Sequence, residues 1–117
     1  MAYPLETILA EKYETIIRRN ITTTRMRDFY DIYTLYKLKK DEINYEILRE
    51  AIERNSNKRG SQKIMQDYEE IIEEIKEDSY LRSLWEVYLS ENKYIGNLKF
   101  DKVVGVVRII SNRINEM

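Results

Sequence analysis

The apolar residues of this chain recur at spacings of three and four positions, which is the repeat of an α-helix with one buried face. Leu5, Leu9, Tyr13 and Ile16 form the first such stripe, and similar stripes follow along most of the sequence. They predict helices over about 4–20, 24–38, from 44 onwards, 63–78, 79–91 and 100–117. The sequence therefore predicts an all-α fold, a compact bundle of about five or six helices in one domain spanning residues 1–117.

One segment allows a second interpretation. The β-branched run from Val103 to Val107 has the propensity of a strand. We favour a helix there, because Ile110 and Ile114 continue the helical spacing and the sequence offers no evident partner strand.

The residue types that are missing exclude several kinds of site. The chain has no cysteine and no histidine, which rules out disulfides, thiolate metal sites and His-dependent triads. Twenty basic and 21 acidic side chains give a net charge of −1, which does not favour a membrane-surface or nucleic-acid-coating domain. No apolar run is long enough to cross a bilayer, and we expect a cytoplasmic protein with no membrane partner.

Charged residues interrupt the apolar stripes of the first two predicted helices. Lys12 lies within the first stripe, while Arg25 is expected near the centre of the second and Asp28 at its edge. Such charges are costly unless they are paired or used. The short connection at 21–23 suggests antiparallel helices, which would bring Lys12 towards Asp28. From the residues alone, a structural ion pair is favoured over a catalytic site.

Two segments carry a resemblance to a known family. The segment at 3–12, which ends in Glu11-Lys12, and the segment at 25–31, Arg-Met-Arg-Asp-Phe-Tyr-Asp, resemble signatures of the AbiEii/AbiGii family. That family comprises nucleotidyltransferase-like toxins of type IV toxin–antitoxin systems that act in abortive infection, a form of phage defence. The two signatures cover about the first third of the chain.

The resemblance implies roles for four residues. Lys12, Asp28 and Asp31 would be catalytic, and Lys12 and Arg27 would contact the nucleotide. None of them is expected to be a metal ligand of this chain alone. In the family, an upstream domain supplies a Gly-Ser and a pair of metal-binding aspartates. Gly60-Ser61 is followed by Gln62-Lys63 instead, so we expect a C-terminal portion whose metal-binding half is absent.

The same resemblance implies cofactors and partners. The parent family would use a nucleoside triphosphate and Mg²⁺, and we expect neither to be bound to this chain alone. Its partners would be the missing N-terminal nucleotidyltransferase domain, an antitoxin protein and, as the acceptor, RNA. We expect no enzymatic activity from the chain in isolation.

Two other functions fit the sequence. The chain could be a non-catalytic helical module that binds an antitoxin or a partner domain through exposed aromatic surface. It could also bind nucleic acid through the polar, locally basic stretch 55–63, although a solvated loop is the favoured interpretation of that stretch. Among the ten tyrosines, Tyr30 or Tyr33 could stack on a nucleobase, but core packing explains most of them.

Overall fold

The computed structural model describes residues 4–116, and these fold into helices joined by short connections. Within that range there are seven α-helices and no strand, which confirms the all-α prediction. Three single 3₁₀ turns lie at Asn20–Thr22, Lys40–Glu42 and Lys93–Ile95. The α-helices are α1 Pro4–Arg19, α2 Met26–Lys39, α3 Tyr45–Arg59, α4 Gln62–Gln66, α5 Tyr68–Glu77, α6 Ser79–Glu91 and α7 Phe100–Asn115.

Two of these helices replace one predicted helix. The stretch predicted as continuous over 63–78 divides at Asp67 into the five-residue α4 and the longer α5. The described residues consequently form seven helices rather than five or six. The last helix is confirmed as α7, because its β-branched residues bury one face against the bundle. Met117, predicted as its end, and Tyr3, in the first family-like segment, lie outside the described residues.

The predicted loop at 55–63 is wrong for most of its length. Helix α3 continues to Arg59, and Ser56 within it is buried. The helix ends at Gly60, whose φ of 67° lies in the left-handed region that glycine adopts without steric cost. Only Gly60 and Ser61 separate α3 from α4. The basic side chains Lys58 and Arg59 therefore lie in the last turn of a helix and not in a loop.

Side-chain caps fix where two helices begin. The carboxamide oxygen of Asn44 accepts a hydrogen bond from the Ile47 amide at 3.2 Å, and α3 starts one residue later. A carboxylate oxygen of Asp78 accepts from the Leu81 amide at 2.9 Å, which starts α6. Each cap satisfies an amide that has no partner in the first helical turn and contributes about 1 kcal/mol.

Helix α1 packs against α2 and α3, while α7 packs against α2 and α5. A buried hydrogen bond of 2.7 Å joins the hydroxyls of Tyr13 and Ser111, which ties α1 to α7 across the core. The largest fully buried side chains are Trp85, Tyr13, Phe29, Leu9, Ile16, Ile17, Ile32, Leu48, Ile72, Ile75, Leu81 and Ile110. Burial of each large aliphatic one contributes roughly 1.5–3 kcal/mol, so the core dominates the stability of the fold.

Candidate functional site

Helices α1 and α2 bring Lys12 against two aspartates. The Lys12 Nζ lies 3.0 Å from Oδ1 of Asp28 and 3.2 Å from Oδ2 of Asp31. Asp28 and Asp31 are three positions apart on α2, so both carboxylates face the same neighbour. The approach of Lys12 to Asp28 that the short connection suggested is therefore present.

Two arginines extend this pair into a chain of alternating charges, which we call the charged cluster: Arg25, Asp28, Lys12, Asp31 and Arg27. The Arg25 Nε lies 3.6 Å from Oδ2 of Asp28, and the Arg27 Nε lies 3.7 Å from Oδ2 of Asp31. Three cations and two carboxylates leave the cluster with one excess positive charge. Such a surplus suits an anionic ligand.

The members of the cluster differ sharply in burial. Asp28 is 2% exposed, because its neighbours Phe29 and Ile32 hold the first turns of α2 against the core. The side chains of Arg25 and Arg27 are 60% and 77% exposed. A buried carboxylate thus anchors the cluster, and solvent can reach its cations.

The position of Arg25 corrects one prediction. The sequence placed it near the centre of an apolar stripe, but its side chain is mostly exposed. Arg25 precedes the first helical residue, Met26, and its φ of −94° and ψ of 79° are not helical. Helical periodicity does not extend to a residue outside the helix, so the stripe begins at Met26.

The carboxylates determine the protonation of Lys12. Partial burial lowers the pKa of the ammonium, but hydrogen bonds to Asp28 and Asp31 and their charges outweigh it, and the pKa is raised above its ordinary value. Lys12 is therefore a cation throughout the physiological range. It can donate hydrogen bonds to an anion, and it cannot serve as a general base near neutral pH.

The donor set fits a phosphate better than a resident metal ion. Lys12 and the two exposed guanidinium groups supply N–H donors of the kind that phosphate oxygens accept. Both oxygens of Asp28 and Oδ2 of Asp31 already face these cations. Across residues 4–116, no group of three or more His, Cys, Asp or Glu side chains is arranged to hold a metal. The cluster's own residues therefore do not fit a complete Mg²⁺ site.

A second charged group was missed in the sequence. Glu14 is fully buried, and its Oε2 accepts hydrogen bonds from Arg18 Nε and Ser61 Oγ, each at 2.8 Å. Its Oε1 has no hydrogen-bond partner, although Arg59 Nε lies 3.4 Å away. The available signal was the spacing of Ala10, Glu14 and Ile17, which places the carboxylate on the buried face of α1.

This second group has a structural role. Glu14 joins α1 to the junction of α3 and α4, where Gly60 and Ser61 change the chain direction. It lies two residues from Lys12 but contacts different helices. We therefore assign Glu14 to the support of the bundle and not to the charged cluster.

Comparison with known proteins gives one match. A family model described as "Nucleotidyl transferase AbiEii toxin, Type IV TA system" matches residues 1–106, which include the whole charged cluster. No curated protein and no solved structure matches the chain. In the part that the structure describes, no helix has the length and apolar character needed to cross a membrane.

Proposed function

Because this chain belongs to the AbiEii family of nucleotidyl transferase toxins from type IV toxin–antitoxin systems, we propose that it supplies the phosphate-binding half of a nucleotidyl transferase site. The observation that carries the proposal is Lys12, held between Asp28 and Asp31 in the matched region. A lysine that is already charged, oriented and partly exposed can meet a phosphate with little reorganisation.

Four members of the cluster have distinct parts in this proposal. Negative charge on a triphosphate is stabilised by cations during nucleotidyl transfer. Lys12 contacts a phosphate oxygen, and the exposed guanidinium of Arg27 approaches the same phosphate chain. Asp28 orients the attacking hydroxyl or accepts its proton, and Asp31 holds the ammonium of Lys12 in position.

The rest of the site would come from a second domain. By its resemblance to the family, that domain would carry the Gly-Ser and paired aspartates, and this chain would be the C-terminal portion. Mg²⁺ held there would neutralise triphosphate charge when bound. This chain alone would then catalyse no transfer. RNA is the proposed acceptor, and an antitoxin is the proposed partner in the cell.

The proposal is tested in a toxin that contains both halves. Lys12→Ala and Asp28→Ala should each abolish growth inhibition, while Lys102→Ala, on the exposed face of α7, should retain it. Circular dichroism of the same variants separates loss of chemistry from loss of fold. Toxicity that survives in either variant would exclude the catalytic roles, and unfolding of both would identify the pair as structural.

A second candidate rests on exposed apolar side chains. Leu38 and Tyr94 are 75% and 76% exposed, and exposed side chains of this kind would suit a non-catalytic module that binds an antitoxin or partner domain. Calorimetry with a nucleoside triphosphate and Mg²⁺ separates the two functions. Micromolar binding only by a chain that includes the metal-binding domain supports the transferase, and binding by neither chain supports the module.

A further inference from the structure

Three tyrosines pack together near the charged cluster and take no part in the proposed phosphate contacts. The ring centroid of Tyr30 on α2 lies 6.3 Å from that of Tyr88 on α6 and 6.3 Å from that of Tyr94. Tyr88 in turn stacks on Trp85, with centroids 5.5 Å apart and an interplanar angle of 29°. We call Tyr30, Tyr88 and Tyr94 the aromatic shelf. Trp85 is buried and forms its base.

The outer ring of the shelf is open to solvent. Tyr94 is 76% exposed, whereas Tyr30 and Tyr88 are half-buried. Tyr94 lies in the 3₁₀ turn Lys93–Ile95, which ends at Gly96 with a φ of 77°, a conformation that favours glycine. The chain therefore holds an exposed aromatic face in a defined turn, where core packing does not require it.

The shelf and the charged cluster meet at one groove, which Tyr88 and two arginines of the cluster line. Tyr30 directly precedes Asp31 in the sequence. A groove of about 320 Å³ between the start of α2 and α6 is lined by Arg25 and Arg27 on one side and by Val87, Tyr88 and Glu91 on the other. Burial is the main cause that raises the pKa of Tyr88, and the charge of Asp31 raises it further while Arg27 lowers it. The Tyr88 hydroxyl thus lies within electrostatic range of both.

We infer that the aromatic shelf receives the base of the nucleoside triphosphate whose phosphates meet Lys12 and Arg27. This inference rests on the proposed function and adds the base-side contact to it. A nucleotide presents an anionic chain and a flat π-face a few bonds apart. The groove places two arginines across from the ring of Tyr88, and Tyr30 packs between that ring and the exposed ring of Tyr94. Tyr33, the other tyrosine considered from the sequence, lies beside Lys37 instead and is not in the shelf.

The kind of contact determines the selectivity. Every base has a π-face, so a tyrosine platform binds bases by stacking without reading their hydrogen-bonding edges. The shelf should therefore favour nucleotides over inorganic polyphosphate. It should distinguish poorly among the four bases.

The test compares ATP with inorganic tripolyphosphate, which has the same kind of phosphate chain and no base. Both are titrated to millimolar concentration into the ¹⁵N-labelled chain, since affinity without the metal-binding domain should be weak. Amide shifts report binding. ATP should bind roughly 5- to 100-fold more tightly than tripolyphosphate, the range that stacking of one base typically supplies.

Matched variants assign the preference to the shelf. Tyr94→Ala should remove the ATP preference and leave tripolyphosphate binding unchanged, while Tyr94→Phe, which keeps the ring, should preserve it. Tyr80→Ala removes another exposed tyrosine, outside the shelf, and should change neither affinity. Lys12→Ala should lower the affinity for ATP and for tripolyphosphate by the same factor.

Each outcome separates the shelf from the proposed function. If ATP and tripolyphosphate bind with equal affinity and Lys12→Ala weakens both, the shelf is overturned and the phosphate role of Lys12 stands. An ATP preference that depends on Tyr94, with no effect of Lys12→Ala, would support the shelf and overturn the phosphate role. An ATP preference that survives Tyr94→Ala would place the base elsewhere. If neither ligand binds this chain, the shelf is overturned, and the phosphate role is decided by the growth-inhibition test in the toxin that contains both halves.

Discussion

Lys12 and Asp28 are 16 positions apart in the sequence and 3.0 Å apart in space, with a buried carboxylate on one side and a partly exposed ammonium on the other. This difference in exposure matters because the two groups respond differently to loss of the partner. Without Lys12 the Asp28 carboxylate stays buried, whereas without Asp28 the Lys12 ammonium can be hydrated by solvent. The same contact serves both interpretations of the pair. As a structural link it joins α1 to α2, and as a functional one it presents an oriented cation.

The first prediction concerns the stability of this pair. Lys12→Met should lower the free energy of unfolding by roughly 1–3 kcal/mol, because Asp28 stays buried with only Arg25 near it, at 3.6 Å. Lys102→Met, the exposed control, should change it by less than about 0.5 kcal/mol. Urea unfolding of the three proteins measures both differences. Equal stabilities would show that Asp28 does not depend on Lys12.

Removal of the Glu14 carboxylate should lower the stability more than removal of Arg59, the more exposed of the two arginines beside it. Glu14→Ala should lower the free energy of unfolding by roughly 2–4 kcal/mol, since it leaves a cavity and deprives the buried Ser61 hydroxyl of its acceptor. Arg59→Ala should cost less than about 1 kcal/mol, because that side chain is more than half exposed.

Thermal and urea unfolding of Glu14→Ala, Arg59→Ala and Glu70→Ala would measure this order. Glu70 is an exposed acidic residue of α5, and its replacement controls for the change in net charge. A Glu14→Ala protein as stable as the Glu70→Ala protein would contradict the assigned support role.

Substitutions of buried and exposed leucines test the assignment of the core, with Leu38 as the exposed control for Leu9. Leu9 on α1 and Ile32 on α2 are fully buried, and Leu9→Ala or Ile32→Ala should each lower the free energy of unfolding by roughly 2–5 kcal/mol. Leu38→Ala removes the same atoms from a side chain that is 75% exposed, and its cost should be under about 0.5 kcal/mol. Urea unfolding of all three distinguishes burial from helix propensity, because leucine and alanine both favour helices.

Tyr13 gives a prediction for alkaline solution. Burial raises the pKa of its hydroxyl from 10.0 to about 12, while the hydrogen bond with Ser111 lowers it. The unfolded chain therefore loses this proton before the folded chain does. Stability from Tyr13 is fully present below pH 10 and is lost as the pH rises towards 12.

The Tyr13→Phe variant isolates this effect, since the remaining tyrosines are common to both proteins. At pH 8 it should be about 1 kcal/mol less stable than the wild type, because the bond to Ser111 is lost. Between pH 9 and pH 11 the wild type should lose about 1 kcal/mol more than the variant. Parallel pH profiles would show that the hydroxyl titrates at its ordinary pKa.

Sequence periodicity predicted the helices well where an apolar stripe is continuous. Helix α6 has the predicted bounds, Ser79–Glu91, and α1 and α2 differ from prediction by one or two residues at their ends. The prediction from sequence failed in the polar stretch from Asn55 to Arg59. There α3 continues as a helix because Leu48, Ala51 and Ile52, earlier in the same helix, pack in the core. Composition alone indicated a loop there, and tertiary contacts overrode it.

The charged cluster was predictable in part. The stripes placed Lys12 and Asp28 on neighbouring faces, but only the fold shows that Asp31 shares the same ammonium. Glu14 was not found, because its position on the buried face of α1 is readable from the spacing of apolar residues but its partners are not. These come from α1 itself, from the end of α3 and from the turn before α4, at separations up to 47 residues.

The bond between Tyr13 and Ser111 spans 98 positions, and this separation has a consequence for synthesis. Helix α1 leaves the ribosome well before α7, although α7 covers part of its buried face. At typical translation rates the delay is roughly 5–20 s, during which apolar side chains of α1 remain accessible to chaperones and proteases. The nascent chain should therefore resist proteolysis only after α7 has been released.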